Sequence, residues 1–176
     1  MMKFLSMLAV LFCGAMLVAG TDIDVNGKFA GSAIGERAPK GWLFNDGIKP
    51  VGTGKVVKVG DELGVHITSP KAGVHYYCAK QFPVVPGEKY EVSCDVTGTG
   101  VAGVGVYYYD AKGSWAGAIY QPSVKLKPGE NDVKYTFTVP AEVKGKVPGL
   151  VRFAFFVYGA ADATFTDFEV EKEDGK

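Results

Sequence analysis

The sequence predicts an all-β fold, an antiparallel β-sandwich that follows an N-terminal signal peptide. Short apolar runs rich in Val, Tyr, Phe and Thr alternate with period two, as in Tyr90, Val92, Cys94 and Val96, and this alternation is typical of half-buried strands. Glycines fall singly between the runs, where they mark turns and bulges. No stretch after the N-terminal segment carries a helical period.

A secretory signal peptide is expected over residues 1–20. Lys3 precedes an uncharged apolar run over residues 4–19, and small residues end the run just before the polar stretch that begins at Thr21. This order matches a cleaved signal peptide. A membrane anchor is the alternative, but about 16 apolar residues fall short of the roughly 20 that span a bilayer. We therefore expect one domain over residues 21–176, in a protein that is secreted, periplasmic or on the cell surface, with no membrane contact after cleavage.

The strands of this domain follow one another closely along the chain. Pro86-Gly87 and Pro128-Gly129 are among the turn signals that separate them, because Pro and Gly adopt the backbone angles of tight turns. Many short strands at intervals of about ten residues are typical of an antiparallel sandwich. The expected strands lie near residues 22–30, 40–45, 54–59, 62–68, 73–84, 88–98, 102–109, 116–126, 132–139, 149–158 and 162–171.

The charge pattern excludes two classes of partner. The formal net charge is zero, with 19 basic and 19 acidic residues scattered along the chain. A nucleic-acid-binding protein carries a basic face, and a protein held on a membrane surface carries a polybasic patch. We therefore expect neither nucleic acid nor membrane as a partner.

The cysteines predict one disulfide. Cys13 leaves with the signal peptide, and Cys78 and Cys94 remain. Two cysteines in an oxidising compartment indicate a bridge between them, provided that the strands bring the side chains together. Two buried free thiols are the alternative.

A series of short motifs runs through nearly the whole mature chain. Their order and spacing resemble the carbohydrate-binding modules of the galactose-binding-like jelly-roll type, especially those attached to xylanases and glucanases. The resemblance implies a jelly-roll sandwich and a non-catalytic domain that binds a polysaccharide or oligosaccharide. The motifs are Asn26-Gly27-Lys28-Phe29, Gly41-Trp42, and the segments 84–90, 104–113, 135–140, 151–153 and 164–170.

The same resemblance raises the question of a structural calcium ion. That family usually follows its early Asn-Gly-x-Phe motif with a calcium-binding Glu, whereas here Phe29 is followed by Ala30, which cannot ligate. Asp22, Asp24 and Asp167 could still supply the oxygens that calcium prefers. Calcium therefore stays open, and no other cofactor is implied.

No catalytic constellation is visible, so we expect no enzyme. His66 and His75 are the only histidines, and they lie on separate strands without the spacing of metal ligands. No Gly-x-Ser-x-Gly elbow occurs either. Two carboxylates brought together only by folding are the remaining route to catalysis.

Strand alternation predicts an aromatic face instead. If Val104 and Val106 point into the core, Tyr107 and Tyr109 point to the opposite face. The same reasoning, applied from Val151 onward, places Arg152 and Tyr158 on that face. Sugars offer apolar C–H faces to aromatic rings, and hydroxyls to guanidinium and amide groups. The predicted sugar-binding residues are Tyr107, Tyr109, Arg152, Tyr158, Tyr77, His75 and Gln81, with Gly103, Gly105 and Ala154 keeping the floor low.

A structural or adhesion-type envelope domain that binds protein is the alternative function for the same sandwich. An open aromatic face favours glycan binding, whereas a covered face favours the structural role. The two tryptophans should behave differently in either case. Trp42 is expected in the core, and Trp115 is expected near a hairpin end, exposed or at one rim of the binding face.

Overall fold

The computed structural model describes residues 20–45, 52–71 and 73–173. The predicted signal peptide, residues 1–20, lies outside this part of the chain except for Gly20. Within the described ranges, no helix is long and apolar enough to cross a membrane. Their regular structure consists of strands: β1 Thr21–Asp22, β2 Trp42–Asn45, β3 Thr53–Val59, β4 Glu62–Ser69, β5 Val74–Cys78, β6 Phe82–Pro83, β7 Lys89–Tyr109, β8 Trp115–Lys125, β9 Glu130–Thr138 and β10 Leu150–Glu173.

The strands form two antiparallel layers that share their two longest members. In sheet I the order is β2-β5-β10-β7-β8, and in sheet II it is β3-β4-β10-β7-β9. The first half of β10 pairs with the second half of β7 in sheet I, and the remaining halves pair in sheet II. Both strands therefore pass from one sheet to the other.

Glycines mark the place where the shared strands change sheets. Gly98 and Gly100 of β7 have positive φ values of 130° and 108°, which L-residues with a Cβ rarely adopt. A Cβ on Gly98 would also lie 2.1 Å from the carbonyl oxygen of Asp162. Across from these glycines, the pairing of β10 with β7 shifts register between Tyr158 and Asp162. Both strands therefore bend at the point where they change sheets.

The core lies between the two halves of β10. Ten residues of straight strand would span about 33 Å, but the ring centroids of Phe155 and Phe165 are only 4.8 Å apart. The two halves of β10 therefore face each other across the core. Phe168 and Trp42 complete the contact, with centroids 5.0 Å apart. Trp42 is only 3% exposed and Trp115 is 47% exposed. The all-β sandwich and the contrast between the two tryptophans are confirmed.

Several predicted strand boundaries were wrong. The runs at 88–98 and 102–109 are one strand, β7, and those at 149–158 and 162–171 are one strand, β10. The run at 73–84 divides into β5 and β6. The run at 22–30 is a strand only at Thr21–Asp22, because Asn26 and Phe29 turn the backbone with positive φ values of 54° and 55°.

The structure contradicts the predicted disulfide between Cys78 and Cys94. Both cysteines are free and buried. Cys78 lies in sheet I opposite Trp42, and Cys94 lies in sheet II opposite Val133. Their strands, β5 and β7, do not pair with each other, whereas a disulfide requires Cα atoms within about 7 Å. The alternative of two buried thiols is the correct one.

Candidate functional site

The outer surface of sheet I carries a continuous cluster of aromatic rings around one arginine. Strand register places them together, since Arg152 pairs with Tyr107, Phe156 pairs with His75, and Gly105 pairs with Tyr120. Alternation along each strand turns these side chains away from the core. We call this surface the aromatic face; it consists of His75, Tyr77, Tyr107, Tyr109, Trp115, Tyr120, Arg152, Phe156 and Tyr158.

The aromatic face has a buried floor and a partly exposed rim. Tyr107 is 5% exposed, and Phe156 and Ala154 are fully buried. The other rings are half-buried, except for the more exposed Trp115. Edge-to-face contacts connect the two levels: the Tyr107 centroid lies 5.5 Å from that of Trp115 and 5.7 Å from that of Tyr120. The face is therefore a packed platform.

Tyr120 fills the space that the small residues leave. A Cβ on Gly105 would lie 2.9 Å from the Ile119 carbonyl oxygen, 3.0 Å from Cδ1 of Tyr120, and 3.5 Å from Cε1 of Phe156. Gly105 therefore admits this chain's own rings, and not directly a ligand ring as the sequence suggested. The prediction of a low floor needs this correction.

His75 lies in the centre of the platform as a neutral side chain. Its ring stacks on Phe156 with centroids 5.5 Å apart and meets Tyr120 edge-on at 5.0 Å. Its Nδ1 lies 3.2 Å from the Tyr107 hydroxyl, within hydrogen-bonding distance. Burial lowers the pKa of His75 from 6.5 to about 4, because the charged imidazolium is poorly solvated there.

Arg152 supplies the positive charge of the aromatic face. Its guanidinium carbon lies 5.5 Å from the ring centroids of both Tyr77 and Tyr109, at the distance of a cation–π contact. Burial raises the pKa of Tyr109, and the nearby Arg152 charge partly opposes that rise. Tyr109 therefore stays neutral beside the cation at pH 7.

Gln81 borders the face at the β7–β8 turn. A Cβ on Gly113 would lie 3.6 Å from the Gln81 Oε1 atom, and Gly113 ends the turn that carries Trp115. The structure thus brings the predicted site residues to one surface. Tyr107, however, lies in the buried floor of that surface and not at its exposed rim. Sequence reasoning omitted Tyr120 and Phe156 from the site; the alternation that placed Phe156 on this side was the available signal.

The outer surface of sheet II has a different character. A depression there of about 200 Å³ is lined mainly by polar side chains, among them Asp95, Asp132, Asp167 and Glu169. Burial and neighbouring carboxylates raise the pKa of Asp95. The ring cluster of sheet I, in contrast, includes no Asp or Glu among the described residues.

Two of the three residues considered for calcium make other contacts. Asp24 accepts a hydrogen bond from the Asn26 backbone N–H at 3.0 Å, and Asp167 faces the Lys28 ammonium at 3.5 Å. In the described ranges, no group of three or more His, Cys, Asp and Glu side chains could hold a metal ion.

Comparisons with known proteins identify structural likeness only. No protein-family model and no curated protein matches the chain. The Stig cyclase FisC of Fischerella sp. TAU, solved with (3Z)-3-(1-methyl-2-pyrrolidinylidene)-3H-indole, matches with a TM-score of 0.66 at 12% identity over 90% of this chain and 100% of the cyclase. The CBM22-1 xylan-binding domain of Paenibacillus barcinonensis Xyn10C matches with a TM-score of 0.53 at 12% identity, over 82% of this chain and 97% of the domain.

A third likeness covers only part of a larger protein. The enzymatically active domain of bacteriophage CBA120 tailspike protein 4 matches 76% of this chain with a TM-score of 0.56 at 11% identity, and the chain spans 19% of that protein's length. These likenesses confirm the jelly-roll sandwich predicted from the sequence motifs. The fold hosts both binding domains and enzymes, so function has to be argued from the aromatic face.

Proposed function

We propose that this chain is an exported, non-catalytic carbohydrate-binding domain whose ligand lies on the aromatic face. The observation that carries the proposal is the clustering of eight aromatic or imidazole rings around one guanidinium on the outer surface of sheet I. In a sandwich such outward positions usually carry polar side chains. Rings that are held there without entering the core call for a ligand.

The rings are arranged as a sugar-binding surface requires. The buried Tyr107 and Phe156 hold the rim rings in place from below, so the platform is ordered before a ligand arrives. Partly exposed Tyr109, Tyr120 and Tyr158 can stack against C–H faces of sugar rings. Their hydroxyls, together with Arg152, can donate hydrogen bonds to sugar oxygens.

Exposure favours a binding surface over the covered face of a purely structural domain. Trp115 is 47% exposed although it contacts both Tyr107 and Tyr109. An indole at the edge of a ring cluster supplies a large rigid contact area at little entropic cost. The xylan-binding domain with the same fold supports a polysaccharide or oligosaccharide as the ligand class.

A second candidate is binding of a small aromatic molecule, with or without catalysis. It is favoured by the match to a cyclase over 100% of that protein, in a structure that contains an indole compound. The same rings could stack on a planar heterocycle. A small ligand of that kind would cover only some of the rings, whereas an oligosaccharide would extend along the whole aromatic face.

The test is a glycan array probed with the exported, purified protein, followed by calorimetry on the glycan that binds. Tyr109→Ala and Trp115→Ala should each weaken binding about tenfold, since burying an aromatic side chain contributes at least about 1.5 kcal/mol. Tyr135→Ala is the matched control, because Tyr135 is a half-buried tyrosine of sheet II. It should leave the affinity unchanged.

Two results would overturn the proposal. Binding that both aromatic-face variants retain would place the ligand elsewhere. Absence of binding to any plant, algal, bacterial or host glycan, with binding of indole compounds, would favour the second candidate.

Export is tested separately. N-terminal sequencing of protein recovered from the culture medium or periplasm should begin at Thr21. A protein that retains residues 1–20 would contradict cleavage after Gly20.

A further inference from the structure

We infer that the ligand of the aromatic face is an acidic glycan whose sugar carboxylate pairs with Arg152. This inference rests on the proposed function and names its substrate class. It follows from the position of Arg152, from the absence of a partner for its charge, and from the chemistry of the rings around it.

Arg152 occupies a fixed position among the rings. Backbone pairing sets it on β10 opposite Tyr107 of β7. Its guanidinium carbon lies at equal distances, 5.5 Å, from the centroids of Tyr77 and Tyr109, which belong to the strands on either side. The side chain is half-buried, so a ligand that lies on the rim can reach it.

The charge of Arg152 has no counterion in the described part of the chain. No Asp or Glu carboxylate of the described residues forms an ion pair with Arg152. The buried Nε atom of Arg152 also has no hydrogen-bond partner. On sheet II, in contrast, Lys134 pairs with Glu91 at 2.9 Å, and Lys28 pairs with Asp167 at 3.5 Å. Arg152 is set apart from the unpaired surface lysines because its guanidinium lies among rings and its Nε atom is buried.

Burying a guanidinium among rings costs free energy unless an acceptor, here from a ligand, hydrogen-bonds to its N–H groups. The π-faces of Tyr77 and Tyr109 attract the cation but do not replace an oxygen acceptor for its N–H donors. A buried donor without an acceptor loses its hydration without compensation. Because the Nε atom is itself buried, an anionic oxygen of a ligand would meet the guanidinium through its remaining N–H donors.

A sugar carboxylate fits this arrangement in geometry and in charge. A guanidinium presents its donors as a planar fork that pairs with two oxygens of a carboxylate or of a phosphate. The ring cluster holds one cation, which balances the single charge of a uronic acid residue. The carboxyl group of a uronic acid projects from the sugar ring, so the C–H face can lie on Tyr109 while the carboxylate meets Arg152.

The experiment compares ligands that differ only in the carboxylate. Calorimetry is performed with oligosaccharides of galacturonan, alginate and glucuronoxylan, and with the same oligosaccharides after reduction of the carboxyl to a hydroxymethyl group. At least one acidic oligosaccharide should bind about tenfold to a hundredfold more tightly than its reduced form, since a hydrogen bond to a charged group is stronger than one between neutral groups. Raising the salt concentration should weaken binding of the acidic form only.

Variants on the protein side separate charge from geometry. Arg152→Gln should bring the affinity for the acidic oligosaccharide down to that for its reduced form, and Arg152→Lys should recover only part of the loss. Lys134→Gln is the control, because it removes the same charge from the exposed surface of sheet II. It should change neither affinity.

The possible failures are distinguishable. Equal binding of acidic and reduced oligosaccharides by the wild type, or of neutral glycans alone, would overturn the acidic substrate class and leave the carbohydrate-binding proposal standing. Preference for sulfated over carboxylated glycans would also overturn it. Binding of no glycan would overturn both. If Arg152→Gln does not fold, the comparison of acidic and reduced ligands on the wild type still decides the question.

Discussion

Acidification should destabilise the protein through His75. Burial lowers the pKa of this histidine from 6.5 to about 4. Between these two pH values the unfolded chain binds a proton at this position and the folded chain does not. The unfolding free energy therefore falls as the pH falls from about 6.5 to about 4, and this contribution stops changing below the folded pKa.

The magnitude follows from the pKa difference. One pKa unit corresponds to about 1.4 kcal/mol, so the change from 6.5 to about 4 gives at most about 3 kcal/mol. Acidic groups contribute in the opposite direction: burial raises the pKa values of Asp95 and Glu169, so their protonation in the folded state opposes the effect of His75. The difference between wild type and a variant isolates the histidine.

The assay is urea unfolding at a series of pH values between 7 and 4, on wild type and His75→Asn. Asparagine keeps a hydrogen-bonding group near the Nδ1 position that faces the Tyr107 hydroxyl but does not titrate. The wild type should lose up to about 3 kcal/mol more than the variant. His66→Gln is the matched control, since it retains His75 and should keep the wild-type loss. Equal slopes for wild type and His75→Asn, or protonation of His75 near pH 6.5 in an NMR titration, would refute the reasoning.

Three further perturbations test the packing. Trp42→Ala should lower the unfolding free energy by about 3 to 5 kcal/mol, measured by urea denaturation, because the indole is 3% exposed; a loss below about 1 kcal/mol would contradict its place in the core. Cys78 and Cys94 should resist alkylation in the native protein and react after unfolding, as burial raises the pKa of the Cys78 thiol to about 12; mass spectrometry that finds a bridge would contradict this. Gly105→Ala should cost about 1 to 3 kcal/mol and displace Tyr120, whose Cδ1 would lie 3.0 Å from the new Cβ; unchanged stability and an unchanged Tyr120 environment by NMR would contradict the close approach.

The alternation of side chains could be predicted from the sequence, and it assigned faces correctly. Val104 and Val106 are buried in the core, and Arg152 and Tyr158 lie on the opposite surface, as inferred. A strand with period two fixes the face of every residue once one inward position is known. The aromatic face was predictable for this reason.

Contacts between strands could not be predicted in the same way. Tyr120 joins the face through its pairing with Gly105, and that pairing depends on a register shift between Gly103 and Gly105. Cys78 and Cys94 were expected to meet because the sequence does not show that they lie in different sheets. Bulges and the passage of a strand between sheets depend on tertiary packing, which local patterns do not encode.

The central claim is that a glycan covers the aromatic face, and tryptophan fluorescence tests it most directly. Trp115 lies on that face and is 47% exposed, whereas Trp42 is buried at 3%. A glycan shown to bind by calorimetry should protect the wild type from acrylamide quenching, and the Trp115→Phe variant, which retains Trp42, should show no protection. Protection that persists in Trp115→Phe, or binding without any protection of the wild type, would contradict the claim.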